Sequence, residues 1–545
     1  MAAPSTRFDV LVRNARIVDG TGSPWFLGSL GVHGDRIAAI GDLRGATADV
    51  TVDADGRVLA PGFVDAHVHA ELALLEEPTL EAALRQGVTS HVIGQDGISY
   101  APTSDVNAAI LYAYFAAVNG TPTDPPRGRN VAEFLDLFDG TVAANVAYLV
   151  PHGAVRLEAM GPDDRAPSAS ELEAMQRLVT LAMRQGAVGV STGLDYIPCR
   201  YAETEELIAL ARASSEAGGV FVAHMRAYGP RVRTGMDEMF RIAREAPSPI
   251  HVSHYNVPAD LGLELIDAGR ASGIDVTYDL YPYLAGSSTL MLWLPNDLHV
   301  GTVDTMLERI ASPEGRERVL AWFGGESGKP LDEVRFSHLT LPEHQHYLGL
   351  TPIEAAAAAE SPIGAFLHHL VVSEALRPGV VAHATSWRTE RDLERLMSHP
   401  AHMAGSDGIY VGARPHPRGW GAFARYLATY VRDRGVLTLE DAVRRMTSFP
   451  ARRFGLRDRG LLAPGMHADL ALIDLDALTD TATFAAGRSC ASGVSHVLVN
   501  GRPVLWDGTI TGELPGRPAG RTGDRRTDAR PDPSTTPFAR KEGSS

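Results

Sequence analysis

Cysteine is nearly absent from this chain: Cys199 and Cys490 are the only two in 545 residues. Two thiols cannot make a disulfide framework, so a reducing compartment is the simpler expectation. Lysine is equally scarce, with Lys329 and Lys541 alone among 50 basic residues, a bias that alanine- and arginine-rich codon usage accounts for. Positive charge is in deficit overall. The formal net charge is −16 and the pI about 5.7, which argues against a nucleic-acid partner, because phosphate binding wants a basic surface. A small anionic substrate held by one placed arginine is still compatible with that charge. No apolar run approaches the roughly 18 residues a membrane helix needs, and Met1–Asp19 lacks the basic-then-apolar order of a signal peptide. The expectation is a soluble cytoplasmic protein acting on a small molecule.

What the chain does have is a pattern. Residues 61–69 read Pro-Gly-Phe-Val-Asp-Ala-His-Val-His. The apolar positions suit a buried strand, and strand alternation puts His67 and His69 on one side, close enough to reach a single metal ion. Seven further short apolar runs follow, at 90–96, 145–152, 187–192, 220–224, 250–254, 274–280 and 401–407. Helical spacing of apolar residues lies between several of them, as in 171–185 and 204–217. Strand and helix alternating eight times predicts a (β/α)₈ TIM barrel, whose chemistry sits at the C-terminal ends of the strands. His69, Asp96, His152, His224, His254 and Asp407 all stand at such ends, which packing alone does not explain. Neither lysine does, so a lysine-derived bridging ligand is not expected.

The flanks predict a second unit. Segments 8–18 and 31–41 alternate as strands, as do 460–475 and 494–504, and Asn500-Gly501 is a two-residue hairpin signal. The two termini, 1–60 and 455–512, are expected to pair into a small β-sandwich beside a barrel at 61–454. The stretch between the seventh and eighth runs exceeds one crossover, so an insertion after the seventh strand is expected over about 285–345. The composition of 513–545 predicts a disordered tail.

Imidazoles and carboxylates converging at a barrel mouth point to one or two divalent ions, zinc first given the nitrogen-rich set. Such an ion polarises a carbonyl and brings the pKa of bound water to about 7. His67, His69, Asp96, His224 and His254 are the candidate ligands. Asp96 is the candidate bridge between two ions, since a carboxylate offers two oxygens, although an aspartate before Gly97 also makes a good turn. Asp407 is placed to take a proton from the attacking water and return it to a leaving amine. The expected chemistry is hydrolysis of an amide or similar C–N bond. His152 is left open between pocket wall and structural role, and His91, His251 and His402 are assigned to packing or solvent.

These residues carry a family likeness. The segments 60–69, 87–89, 189–194 with Tyr196, 201–207, His224-Met225-Arg226, Val252-Ser253-His254, 279–283, 405–408 and 414–418 resemble the amidohydrolase superfamily, and within it the N-acyl-D-amino-acid deacylases. The resemblance covers about residues 8 to 510. It implies the barrel, the sandwich of both termini, the insertion, zinc, and removal of an acyl group from a D-amino acid. It also implies that His67 and His69 hold a weaker metal site, that His224 and His254 hold a tighter one, and that Asp407 is the base and then the acid. Tyr283, Ser287 and Arg418 would bind the substrate carboxylate, Tyr196 would line the pocket, and Arg226 would brace it.

The chain departs from that pattern in three places. Asp96 stands where the family usually has a cysteine ligand, and a carboxylate is the harder donor. Tyr255-Asn256 follow His254 where a lysine often helps to bind the carboxylate. Arg226-Ala227-Tyr228 replaces an Arg-Asn-Glu run. Altered substrate choice is therefore expected, with a dipeptide-like, cyclic or natural-product amide as alternatives. A non-catalytic relative and a metal-dependent lyase or decarboxylase are the readings from other classes.

Overall fold

The computed structural model describes residues 7–124, 127–326 and 330–520. Eight parallel strands follow one another in chain order around a barrel: Phe63–Asp65, Val88–Ile93, Asn145–Pro151, Gly189–Gly193, Val220–His224, Ile250–Val252, Val276–Leu280 and His402–Ala404. The seam between the last and the first is closed by Ala66 N–H on Ala404 O and by a parallel pair, Val68–His69 with Gly408–Ile409. Six of the expected apolar runs contain one of these strands, and the other two, 90–96 and 187–192, overlap Val88–Ile93 and Gly189–Gly193. This is the (β/α)₈ architecture, and Tyr196, His224, His254 and Asp407 come to the rim at which its strands end.

Side chains alternate across each strand. In the fifth, Phe221 and Ala223 pack outward on the helices, while Val220 and Val222 join Val64, Val92, Leu149 and Met403 inside the barrel. In the sixth and seventh the outward set is Ile250, Val252, Val276, Tyr278 and Leu280, so the inward places fall to His251, Thr277 and Asp279. One side of the barrel interior is thus polar before the rim is reached. The outer helices are amphipathic, and several begin with a sequence-encoded cap. Ser168 and Glu171 form a reciprocal capping box on Ala169–Arg184, the arrangement that satisfies two otherwise orphaned N–H groups.

Strands from both termini pair in one nine-stranded sheet. Val12, Ile17, Leu30 and Val32 from the N-terminal side and Leu470, Leu472 and Leu498 from the C-terminal side share an apolar core distinct from the barrel's. Asn500 and Gly501 turn between Val494–Val499 and Arg502–Trp506, both with positive φ (48° and 75°).

Two boundaries differ from expectation. The insertion does not end near 345. Ala285–Thr289, Val334–His338 and Gly379–His383 form one antiparallel sheet, so it runs to His383 and the crossover helix back to the barrel is Glu390–Ser398. The tail expected to be disordered from 513 instead passes under the barrel, where Gly516 and Ala519 donate N–H bonds to Val142 O and Val146 O and Ala519 joins the inner core. Residues 521–545 lie outside the described part, as do Lys329 and Lys541. No described helix is long and apolar enough to cross a membrane.

Leu149 sits in the barrel interior with no exposed surface. Leu149→Ala should cost about 3 kcal/mol, the usual penalty for a core cavity. That would appear as a lower urea midpoint at an unchanged m-value.

Candidate metal centre

Asp96 is the hub of the rim. Its Oδ2 lies 3.3 Å from His254 Nε2, 3.6 Å from His69 Nε2, 3.6 Å from His224 Nδ1 and 3.7 Å from His67 Nε2. The backbone is shaped to put it there. Gly94 (φ 79°), Asp96 (φ 55°) and Gly97 (φ 67°) turn left-handed after the second strand. A Cβ on Gly94 would stand 2.2 Å from Leu149 O, so only glycine fits. Glu71, fully buried, accepts the Gly94 N–H at 2.8 Å, and Ser191 bonds Gly94 O and accepts from Gly97 N. His254 (φ 33°) and Asp407 (φ 49°) are left-handed too. Such backbone strain in non-glycine residues gathers at functional sites.

Asp407 faces Asp96 across the cluster. Its Oδ1 lies 3.4 Å from His69 Nε2 and 3.6 Å from His67 Nε2, while its Oδ2 is held 2.7 Å from Arg418 Nη1. A second layer fixes the rings. Asp279 Oδ2 reaches His67 Nδ1 at 3.3 Å and His251 Nε2 at 2.9 Å, and its Oδ1 accepts the His254 N–H at 2.8 Å. Asp195 bonds His224 Nε2 at 3.1 Å, leaving Nδ1 turned inward. Carboxylates behind metal-ligating histidines orient the rings and raise their basicity.

The electrostatics ask for a cation. Burial opposes charge throughout, yet the imidazoles of His67, His254 and His224 hold Asp96 well below the usual carboxylate range. Burial likewise opposes ionisation of Asp407, but Arg418 and then His67 bring it down to about 2. Against the same penalty, Asp407 and Asp96 raise His69 to about 10, and Asp195 and Asp96 raise His224 to about 10. Three buried atoms of the candidate ligands, His67 Nε2, His69 Nδ1 and Asp96 Oδ1, find no hydrogen-bond partner. His67, His69 and Asp96 bring one donor atom each within 4.8 Å of one another, as do Asp96, His224 and His254, and His67, His254 and Asp407. Nitrogen and carboxylate donors in these sets fit a zinc-class ion. Asp96 is common to the first two sets, so it would be the shared ligand if two ions bind.

A cavity of about 190 Å³ opens on this cluster, lined by His69, Asp96, His224, His254, Asp407 and Arg418 among others. Tyr196 and Ser287 line it as well; Tyr196 OH pairs with Ser288 Oγ at 3.0 Å, and Ser287 Oγ bonds Val380 O. Tyr283 is not in the wall. Its hydroxyl turns back to Asp480 Oδ2 at 2.9 Å, and Tyr281, two residues earlier, lines the cavity instead, with the Arg418 guanidinium 4.6 Å from its ring centre. His152 lies behind the wall, held by Thr192 Oγ1 at 2.9 Å and Glu206 Oε1 at 2.7 Å. His402 packs on Tyr278 and Tyr426, and His91 is buried. His251 is neither solvent-facing nor plain packing, because it bonds Asp279 and Thr277. Arg226 braces loops through Glu238 and the carbonyls of Arg200 and Ala202.

Asp279, Asp195, Tyr228 and Tyr281 belong to this site and were given no role in it from the sequence, although 279–283 and Tyr228 stood in segments compared with the family. Asp279 had a signal, as an acid within an apolar run at an inward strand position.

The profile described as Amidohydrolase family matches residues 50–505. The chain is 37% identical over 507 residues to N-acyl-D-glutamate deacylase of Alcaligenes xylosoxydans xylosoxydans, covering 92% of this chain and 94% of that one. It is 36% identical over 524 residues to D-aminoacylase of the same organism, covering 94% and 98%. The crystal structure of N-acyl-D-glutamate deacylase from Bordetella bronchiseptica, complexed with zinc and a phosphonate mimic of the tetrahedral intermediate, superposes with a TM-score of 0.80 at 33% identity over 94% of this chain and 99% of that one.

An ion must displace the protons that His69 and His224 hold near neutral pH. Titrating zinc into metal-free protein should therefore release protons and weaken as pH falls. Calorimetry in two buffers of different ionisation enthalpy reads this directly, and uptake without proton release would contradict the arrangement. Asp96→Ala should bind less metal per chain by elemental analysis while remaining folded.

Proposed function

Because the chain belongs to the amidohydrolase family, we propose that it is a metal-dependent hydrolase that removes the acyl group from an N-acyl-D-amino acid or a closely related carboxylate-bearing amide. One observation carries this reading: four imidazoles and Asp96 converge at a barrel rim opposite an aspartate pinned by arginine. Identity spread over 92–94% of the chain to two deacylases supports it. The Bordetella deacylase is complexed with zinc, and the unsatisfied donors here suit the same ion, with His67, His69, Asp96, His224 and His254 as its ligands. When bound, it would polarise the scissile carbonyl and acidify a water.

The rest of the chemistry falls to side chains. Arg418 keeps Asp407 ionised and turns Oδ1 toward the imidazoles. At that oxygen the carboxylate takes a proton from water as its oxygen adds to the carbonyl carbon. The same oxygen then gives the proton to nitrogen as the C–N bond breaks, releasing an acid and an amine. Tyr196 stands beside His224 as a wall near the scissile group. Ser287 and Arg418 form the side of the cavity we assign to the substrate carboxylate, where a guanidinium can grip it in a fork. We leave Tyr283 out of that assignment, because its hydroxyl is spent on Asp480.

Amine release from paired N-acetyl-D- and L-amino acids, with and without zinc, tests the reaction; turnover of neither series would remove the deacylase reading. Asp407→Asn should lower kcat about a thousandfold with metal content and thermal unfolding unchanged. A variant that turns over normally would acquit Asp407 of the proton transfer.

A further inference from the structure

Past the metal cavity lies a larger chamber of about 660 Å³. The two adjoin, since Asp195, Asn256, Tyr281 and Trp387 line both. Loops after the fourth and fifth barrel strands supply Arg200, Arg226 and Arg231 to its wall, and the exit of the insertion supplies Trp387 and Arg388. Four guanidinium groups face two carboxylates, Asp195 and Glu333, in a chain whose net charge is −16. Asp195 is already engaged by His224, and Arg226 by Glu238. Three of the six tryptophans, Trp293, Trp322 and Trp387, also line the chamber.

Arg388 stands out among these groups. It is 2% exposed, yet no carboxylate pairs with it among the described residues. Nη1 donates to Asn256 Oδ1, Nη2 donates to Tyr283 O at 3.0 Å, and the buried Nε has no partner. Three of its five N–H groups are left for a ligand, enough for a two-pronged grip. A buried charge without a counter-ion is costly, and the expense is relieved when an opposite charge arrives. Arg418 differs, because it already holds Asp407. The two arginines are linked in a row: Arg418 over the Tyr281 ring, Tyr281 OH accepting from Asn256 Nδ2 at 2.7 Å, and Asn256 Oδ1 accepting from Arg388.

We propose that Arg388 forms a second anion subsite, so that the preferred substrate carries two negative groups, one held in the metal cavity and another, a carboxylate, entering the larger chamber. This rests on the deacylase reading and deepens it. The amide has two limbs that can carry this anion: the amino-acid side chain, or the far end of the acyl group. The chamber's size and its indole walls accommodate a limb far larger than acetyl on either side.

The test uses the zinc-loaded full chain and two matched pairs, N-acetyl-D-glutamate against N-acetyl-D-glutamine, and N-succinyl-D-leucine against N-butyryl-D-leucine. In at least one pair the dianion should be favoured by about tenfold or more in kcat/KM, and Arg388→Met should bring that ratio to within about twofold. The pair that responds identifies the limb. No preference in wild type, or a preference that survives in Arg388→Met, overturns the proposal. Should Arg388→Met not fold, Arg388→Lys decides: the ratio must fall, because an ammonium cannot keep Asn256 and Tyr283 while forking a carboxylate; an unaltered ratio overturns the proposal. Absence of turnover on all four compounds defeats the deacylase reading instead. Calorimetric binding of the same four to wild type and variant then reads the subsite alone, and equal affinities within both pairs overturn it.

Discussion

A single carboxylate oxygen, Asp96 Oδ2, has four imidazole nitrogens within 3.7 Å. In a space closed to bulk water, neither the anion nor the ring nitrogens could be kept there without positive charge among them. Protons would supply part of it, in keeping with the direction in which Asp96, Asp407 and Asp195 push His69 and His224. A divalent ion supplies it better. Most of the surrounding architecture serves that convergence: the left-handed turn at Gly94–Gly97, the buried Glu71 and Ser191 that hold it, and the inward face of strands six and seven, which delivers Asp279 to the His67 ring and the His254 backbone. Arg418 holds one oxygen of Asp407 and leaves the other turned toward His69 and His67 for proton transfer.

The barrel and the insertion divide the work. Barrel strands are short and mutually hydrogen-bonded, so the ligands they carry are placed with little freedom. The insertion is a separate antiparallel sheet that begins at Ala285 and ends at His383, and what it contributes is wall rather than chemistry. Ser287, Ala382, Trp387 and Arg388 come from this sheet or the turn leaving it. Selectivity can therefore vary by changes in this segment without disturbing the metal ligands.

Much of this was legible in the sequence, for physical reasons. Period-two apolar runs of five to eight residues are hard to mistake when eight of them alternate with helical spacing. His69, His224, His254 and Asp407 were visible because ionisable residues ending such runs conflict with packing. Asp195 and Asp279 were harder. Asp195 lies in a loop, where acids are ordinary, and Asp279 matters only once the register turns it inward beside His251. Tyr283 was misplaced because Tyr281 and Tyr283 flank a proline and only the folded turn decides which hydroxyl faces the cavity. The length of the insertion was hidden because Ser287 pairs with Val381 across nearly a hundred residues, a link no local pattern records. The start of the tail, 513–520, was misjudged on composition, whereas Gly516 and Ala519 are held by backbone bonds to the barrel base.

That last contact bears on how the molecule comes into being. Asn145 opens the third barrel strand, and its side-chain oxygen accepts from Arg517 N and from Asn500 Nδ2, partners 372 and 355 positions later. During translation the floor of the cylinder is thus laid down early and sealed almost last, after the C-terminal strands have been made. Until residues 516–519 have been made, Val146 lacks the backbone partners it has in the folded chain. The base of the cylinder is thus completed by long-range contacts to a short strap that takes no part in chemistry.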